Sequence, residues 1–160
     1  MADRMAAEIQ IGGIIQRADL EAFHAACCGQ GVGLAWDEAM PDELADFIRE
    51  IPADEPVILR DNEARYGELD ELEEFCREHH LSYRRHSDAK YEWAAQIVWW
   101  TPDMETPGRT ESDNDGAVLL PAAEISAALQ GGSDAEKLAK VAAALAQHVP
   151  ADIPPLTIID

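Results

Sequence analysis

An α+β fold is what the sequence predicts, and three observations predict it. Apolar or alternating runs at Ile9 to Ile15, Val32 to Trp36, Val57 to Leu59, Ser82 to His86 and Tyr91 to Trp100 read as strands. Between them stand stretches with apolar residues at i, i+3, i+4 and i+7, the stripe of a half-buried helix. Asp19-Leu20-Glu21-Ala22-Phe23 aligns with Glu71-Leu72-Glu73-Glu74-Phe75, a short internal repeat whose copies are each flanked by strands. Two strand–helix–strand units in series suggest a split βαβ, ferredoxin-like antiparallel sheet with two helices on one face. The pattern at 41–51 is then an inserted helix, and the Ala-rich end a C-terminal helical pair.

Each element has a local reason. Ile9, Ile11, Ile14 and Ile15 enclose Gly12-Gly13, which predicts a first strand bent at the glycines. In the helix from Ala18 to Cys28, Leu20, Phe23, His24 and Cys27 share a stripe, and Gly29, Gly31 and Gly33 stop it. Val32, Leu34 and Trp36 alternate as a second strand. Pro41 suits the first position of a helix whose stripe is Leu44, Phe47, Ile48 and Ile51, ended by Pro52. The next helix, Glu68 to His80, turns Leu69, Leu72, Phe75, Cys76 and His79 inward. Ser87-Asp88-Ala89-Lys90 reads as a hairpin turn before a long last strand. In that strand Trp93, Ile97 and Trp99 point one way and Val98 and Trp100 the other, so both faces are covered.

The remainder divides by composition. Residues 1–100 read as the core, 101–116 as an acidic linker or loop, and 117–160 as an Ala-rich helical element. Val118-Leu119-Leu120 suits a short strand and Pro121 opens a helix. Ser133 and Glu136 form a capping box for the next, whose stripe is Leu138, Val141, Ala142 and Leu145. These helices suit a lid on the sheet or a homodimer contact. Leu156 to Ile159 is apolar and extended, so it docks.

Composition bounds the function. At 160 residues and 47% apolar the chain can bury a sizeable core without a disulfide or metal staple. Three cysteines, two adjacent, give no pairing framework and point to a reducing cytoplasm. The first residues lack the apolar core of a signal peptide, and no apolar run is long enough to span a membrane. The formal charge of −20, from 32 acidic and 12 basic residues, disfavours direct binding of nucleic acid or anionic lipid. It favours a basic protein partner, and nucleic-acid-binding proteins are the commonest of these. Charge carried only for solubility is the plainer alternative.

Catalytic motifs are weak. His24 and Cys27 with Cys76 and His79 form a loose two-Cys, two-His set, but both pairs also fit inward helical stripes, so core packing is expected and no metal or other cofactor is assigned. His79 and His80 supply an imidazole near which a small enzyme or ligand site could form with Trp99. No nucleophile elbow, P-loop or HExxH accompanies them, so a non-enzymatic role is expected. Arg84, Arg85 and Lys90, interleaved with Tyr83, Tyr91 and Trp93, are expected to form internal salt bridges to Glu73, Glu74 or Glu78.

The strongest signal is acidic. From Asp37 to Glu78 stand sixteen acidic residues against four basic ones, so a net −12 of the −20 falls in about a quarter of the chain. Glu71, Glu74 and Glu78 lie at i, i+3 and i+7, where like charges repel by a few tenths of a kcal/mol per pair. Helical carboxylates so spaced approach the phosphate spacing of a nucleic-acid strand. The expected partner-binding residues are Asp42, Glu43, Asp46, Glu50, Glu68, Asp70, Glu71, Glu74 and Glu78. The expected role is an acidic inhibitor that mimics nucleic acid and blocks a basic groove on a nuclease, restriction enzyme or CRISPR effector. In charge character, though in no motif, the chain is similar to DNA-mimic antirestriction and anti-CRISPR proteins. An immunity or antitoxin protein that neutralises a basic toxin uses the same electrostatics.

Overall fold

A computed structural model describes residues 3–160. Its strands are β1 (Arg4–Gln16), β2 (Val57–Arg65), β3 (Ser82–Ser87), β4 (Gln96–Trp100), β5 (Gly108–Ser112), β6 (Val118–Leu119) and β7 (Leu156–Ile159). The α-helices are α1 (Leu20–Gln30), α2 (Leu44–Glu50), α3 (Asp70–Glu78), α4 (Ala122–Ala128) and α5 (Asp134–His148). The strands form one sheet in the order β2-β1-β3-β4-β5-β6, antiparallel throughout, and β7 adds in parallel beside the far end of β1.

The α+β class stands, but two ferredoxin-like units in series are not what forms. The expected second strand at 32–36 does not extend. Gly33 alone bridges Arg60, through a reciprocal pair of backbone bonds at 2.8 Å, and Trp36 is exposed beneath the Arg60 guanidinium. The chain therefore leaves α1, passes through α2 and returns as β2, an antiparallel neighbour of β1. β2 and β3 flank β1 and both run against it, so only β2–α3–β3 splits around another strand. Beyond β4 the sheet continues further than predicted.

The core lies on one face. Ala7, Ile9 and Ile11 alternate inward from β1, with Val57 and Leu59 beside them on β2 and Tyr83 on β3. The helices α1, α2 and α3 cover this face. Phe23 of α1 meets Phe47 of α2 at 5.7 Å and Phe75 of α3 at 5.3 Å between ring centroids, so α1 is packed against both neighbours. α1 ends where Gly31 adopts a left-handed φ of 83° and its N–H reaches the Cys27 and Cys28 carbonyls. α2 starts later than expected. Pro41 lies outside it, and the Pro41 carbonyl instead accepts a 2.6 Å bond from His24 Nε2.

The opposite face of β2, β1 and β3 is polar. Arg60 pairs with Glu8 at 2.8 Å, and Arg84 donates to Gln10 at 3.0 Å. At β4 both faces are buried, as the mixed pattern predicts: Ile97, Val98, Trp99 and Trp100 are all covered. That strand is shorter than expected. Lys90 and Trp93 exchange backbone bonds of 2.9 Å around Tyr91, whose φ of 53° is left-handed, so 90–93 is a tight turn. The bend expected at Gly12-Gly13 is also displaced, since the register shift in β1 lies between Met5 and Ala7. The two glycines instead mark where β1 exchanges its β3 neighbour for β7.

The segment 101–116, expected as a loop, contains β5. Its sequence hides the strand because the buried side chains are Thr110 and Ser112 rather than hydrocarbons. α5 begins with the predicted capping box. Glu136 N–H donates to Ser133 Oγ at 3.3 Å, and Ser133 N–H donates to the Glu136 carboxylate at 2.6 Å. Its expected stripe is not buried: Leu138 is 71% exposed and Leu145 is exposed, while Ala144 packs. β7 docks as predicted. Among the described residues no helix is long and apolar enough to cross a membrane.

Candidate functional site

Two surfaces carry unsatisfied chemistry. The first is the outside of the α2 and α3 helices. Asp70, Glu71, Glu74 and Glu78 of α3, and Asp42, Glu43, Asp46 and Glu50 of α2 and its approach, are exposed; Glu68 is half-buried before α3. Because α2 and α3 both pack on α1, these side chains belong to one helical layer. Among the described residues only Asp46 of the nine has an ion-pair partner, Arg49 at 2.5 Å. The exposed residues of α1, Glu21, Ala22, Ala25, Cys28 and Gly29, include no cation.

Helix energetics accounts for part of this charge. Asp70 and Glu71 stand in the first turn of α3, where the helix dipole stabilises a carboxylate by about 0.3–1 kcal/mol. Glu78 and Glu50 close α3 and α2, where the same dipole opposes them. For these two the dipole supplies no stabilisation.

Glu73, in the same acidic run, points inward. Its carboxylate accepts from Arg85 Nε, and its second oxygen accepts from the Tyr83 hydroxyl at 3.2 Å. Arg85, 2% exposed, also donates to the Gly67 carbonyl at 2.6 Å. The salt bridge expected for the basic segment thus forms at Arg85 alone. Arg84 turns to Gln10, and Lys90 donates to the Arg4 carbonyl at 2.6 Å.

The histidines and cysteines do not converge. His24 is held by Pro41 and stacks on Phe47, and His79 stacks on Phe75 at 4.0 Å and meets Asp19 at 3.5 Å. Cys27 and Cys76 are buried in the core, and burial pushes both thiols well above their ordinary pKa. Among the described residues no group of three or more His, Cys, Asp or Glu is placed to hold a metal ion. His79, His80 and Trp99 form no common site. His80 is an exposed turn residue, and Trp99 lies under Gly108 on the sheet face opposite the helices.

Comparison with protein-family models, with curated proteins and with solved structures finds no match.

The second surface is a cleft of about 660 Å³, unforeseen from the sequence, between the start of α3 and the C-terminal element. α1 to α3 cover the sheet only as far as its middle strands, and the bare continuation forms the cleft floor: Ser87 of β3, Gln96 of β4, Arg109 and Glu111 of β5. Tyr66 and Trp93 form an aromatic wall, their rings 5.9 Å apart and tilted by 56°. Met5, Leu119 and Pro121 supply apolar surface. At one margin His148 Nδ1 meets Thr110 Oγ1 at 2.9 Å and its Nε2 meets Glu124 at 2.8 Å. A hydroxyl, an imidazole and a carboxylate in series resemble a nucleophile, base and orienting group. Thr110 is only 4% exposed, however, and the three residues come from β5, α5 and α4, so the linkage clasps the helical pair to the sheet.

Proposed function

We propose that this protein acts by binding rather than by catalysis, using the carboxylates of α2 and α3 to engage a basic protein. One observation carries the reading: the exposed acidic residues of both helices lack internal cations except at Asp46, and they extend to the helix C-termini, where they oppose the dipole. Charge kept only for solubility has no need to accumulate at those positions. A partner's Lys and Arg side chains would be steered to this layer by the field of the whole chain. The finer reading is a nucleic-acid mimic that blocks a basic groove on a nuclease, restriction enzyme or CRISPR-type effector. The exposed Leu129, Leu138 and Val149 further support self-association through the C-terminal helices.

The test is affinity capture from host lysate with the wild type and with a Glu71→Lys, Glu74→Lys, Glu78→Lys variant. The wild type is expected to retain a basic protein at low salt and release it as screening shortens the reach of the charges. The variant is expected to lose it. Competition by duplex DNA would support the mimic; a toxin indifferent to DNA would support an immunity role. A partner held equally by the variant, or retained at about 1 M salt, would end the charge-driven reading.

A further inference from the structure

The cleft carries chemistry of its own. Arg109 and Glu111 are two residues apart on β5, so both project from the same sheet face, with Cα atoms about 6.5–7 Å apart. Glu68 approaches from the loop before α3. Among the described residues none of these three side chains has an ion-pair partner. Among the lining side chains one free cation and two free carboxylates therefore border a cavity that also has an aromatic wall, where Arg65 lies 5.5 Å from the Tyr66 ring centroid and Asp3 accepts from the Trp93 indole N–H at 3.1 Å. Its volume falls within the range of small-molecule sites, and apolar walls with a few converging polar groups are their usual form.

The charges restrict the occupant. A simple anion would answer Arg109 but meet two carboxylates in the field of a −20 chain. A simple cation would answer the carboxylates but leave Arg109 opposed to it. An uncharged apolar molecule would desolvate all three charges without partners. A zwitterion with an apolar body satisfies both signs and fills the wall.

We propose that this cleft binds an amino-acid-like zwitterion, its carboxylate on Arg109, its ammonium on Glu111 or Glu68, and its side chain against Tyr66 and Trp93. The site is independent of the acidic helical layer apart from Glu68.

Four probes of one shape test it: phenylalanine, phenethylamine, 3-phenylpropanoate and ethylbenzene. Titration calorimetry measures affinity, and the Trp93 indole N–H resonance reports whether binding is in the cleft. Phenylalanine is expected to bind with Kd on the order of 1 mM or tighter, about ten-fold or more ahead of each other probe. Arg109→Gln should remove its advantage over phenethylamine. Glu111→Gln should reduce its advantage over 3-phenylpropanoate, with Glu68→Gln added if the two carboxylates share the ammonium. Both β5 side chains are exposed, so these variants keep the fold. Saturable binding of none of the probes, a singly charged probe matching phenylalanine, or phenylalanine affinity indifferent to Arg109→Gln would overturn the proposal. The Glu71, Glu74, Glu78 charge-reversal variant should bind phenylalanine as the wild type does, so failure of one site is distinguishable from failure of the other.

Discussion

Arg85 and Glu73 bury opposite charges within the core, and their surroundings make this tolerable. The guanidinium is matched by a carboxylate, the Gly67 carbonyl and the Ser87 hydroxyl, while Tyr83 donates to the other carboxylate oxygen. Removing one partner strands the other. Glu73→Ala is expected to destabilise the protein by about 3–5 kcal/mol, measured by urea unfolding, with a smaller loss when Arg85→Met is added. Cys27, Cys76 and Tyr83 give the second residue-scale prediction. Burial raises each pKa most; the neighbouring Cys28 adds at Cys27, Cys27 and then Glu73 add at Cys76, and Glu73 adds at Tyr83. A raised acid keeps its proton in the folded state after the unfolded chain has released it. The stability it contributes is whole below the ordinary pKa and is lost as pH rises through the raised one. Stability should therefore fall above about pH 9, by up to about 1.4 kcal/mol per pH unit for each group. Urea midpoints from pH 8 to 10.5 check this; a flat profile would contradict it. The exposed Cys28 should react with a thiol reagent in the native state, while Cys27 and Cys76 wait for unfolding.

Among the elements, β7 depends most on a single backbone position. Gly12 lies directly under the Pro154 carbonyl oxygen, so any Cβ there would press into backbone. The Gly13 N–H donates to the Pro155 carbonyl at 3.0 Å, and β7 then pairs with Gly13 to Gln16. Gly12→Ala should lift the tail from β1 while leaving β1, β2 and β3 paired. Hydrogen exchange at 156–159 should quicken at least ten-fold, on the order of 1–2 kcal/mol of lost protection, with little change at 57–65. Equal acceleration in both strands would mean that the tail is integral to the whole sheet.

The whole molecule carries a charge it does not neutralise internally. Self-repulsion at −20 is long-ranged and screened by salt. Thermal midpoints should rise between low and moderate salt, and each 1 kcal/mol gained is worth about 2–4 °C at this size. A fall instead would mean that attractive pairs such as Glu8 with Arg60 dominate. At the same scale, helix coverage explains the cleft: three helices cover β2, β1 and β3 on one face, while α5 meets β5 through Thr110, which alternates with Arg109 and Glu111 and so lies on the other face.

The presence of α1, α3 and the strands β1 to β4, the α5 capping box and the docking tail were legible in local pattern, because periodicity and capping act over a few residues. The inward stripes of Leu20, Phe23 and Cys27 and of Leu72, Phe75 and Cys76 were legible for the same reason. The strand order, the failure of 32–36 to extend and the strand at Gly108–Ser112 were not, since pairing joins residues far apart in sequence and β5 buries hydroxyls instead of hydrocarbons. The acidic run could be counted from sequence, yet only folding separated Glu73 from its exposed neighbours. Glu68, Trp93, Arg109 and Glu111 are scattered through the chain and carry no motif. The tertiary structure alone brought them to one cleft, by leaving part of a sheet face without a helix to cover it.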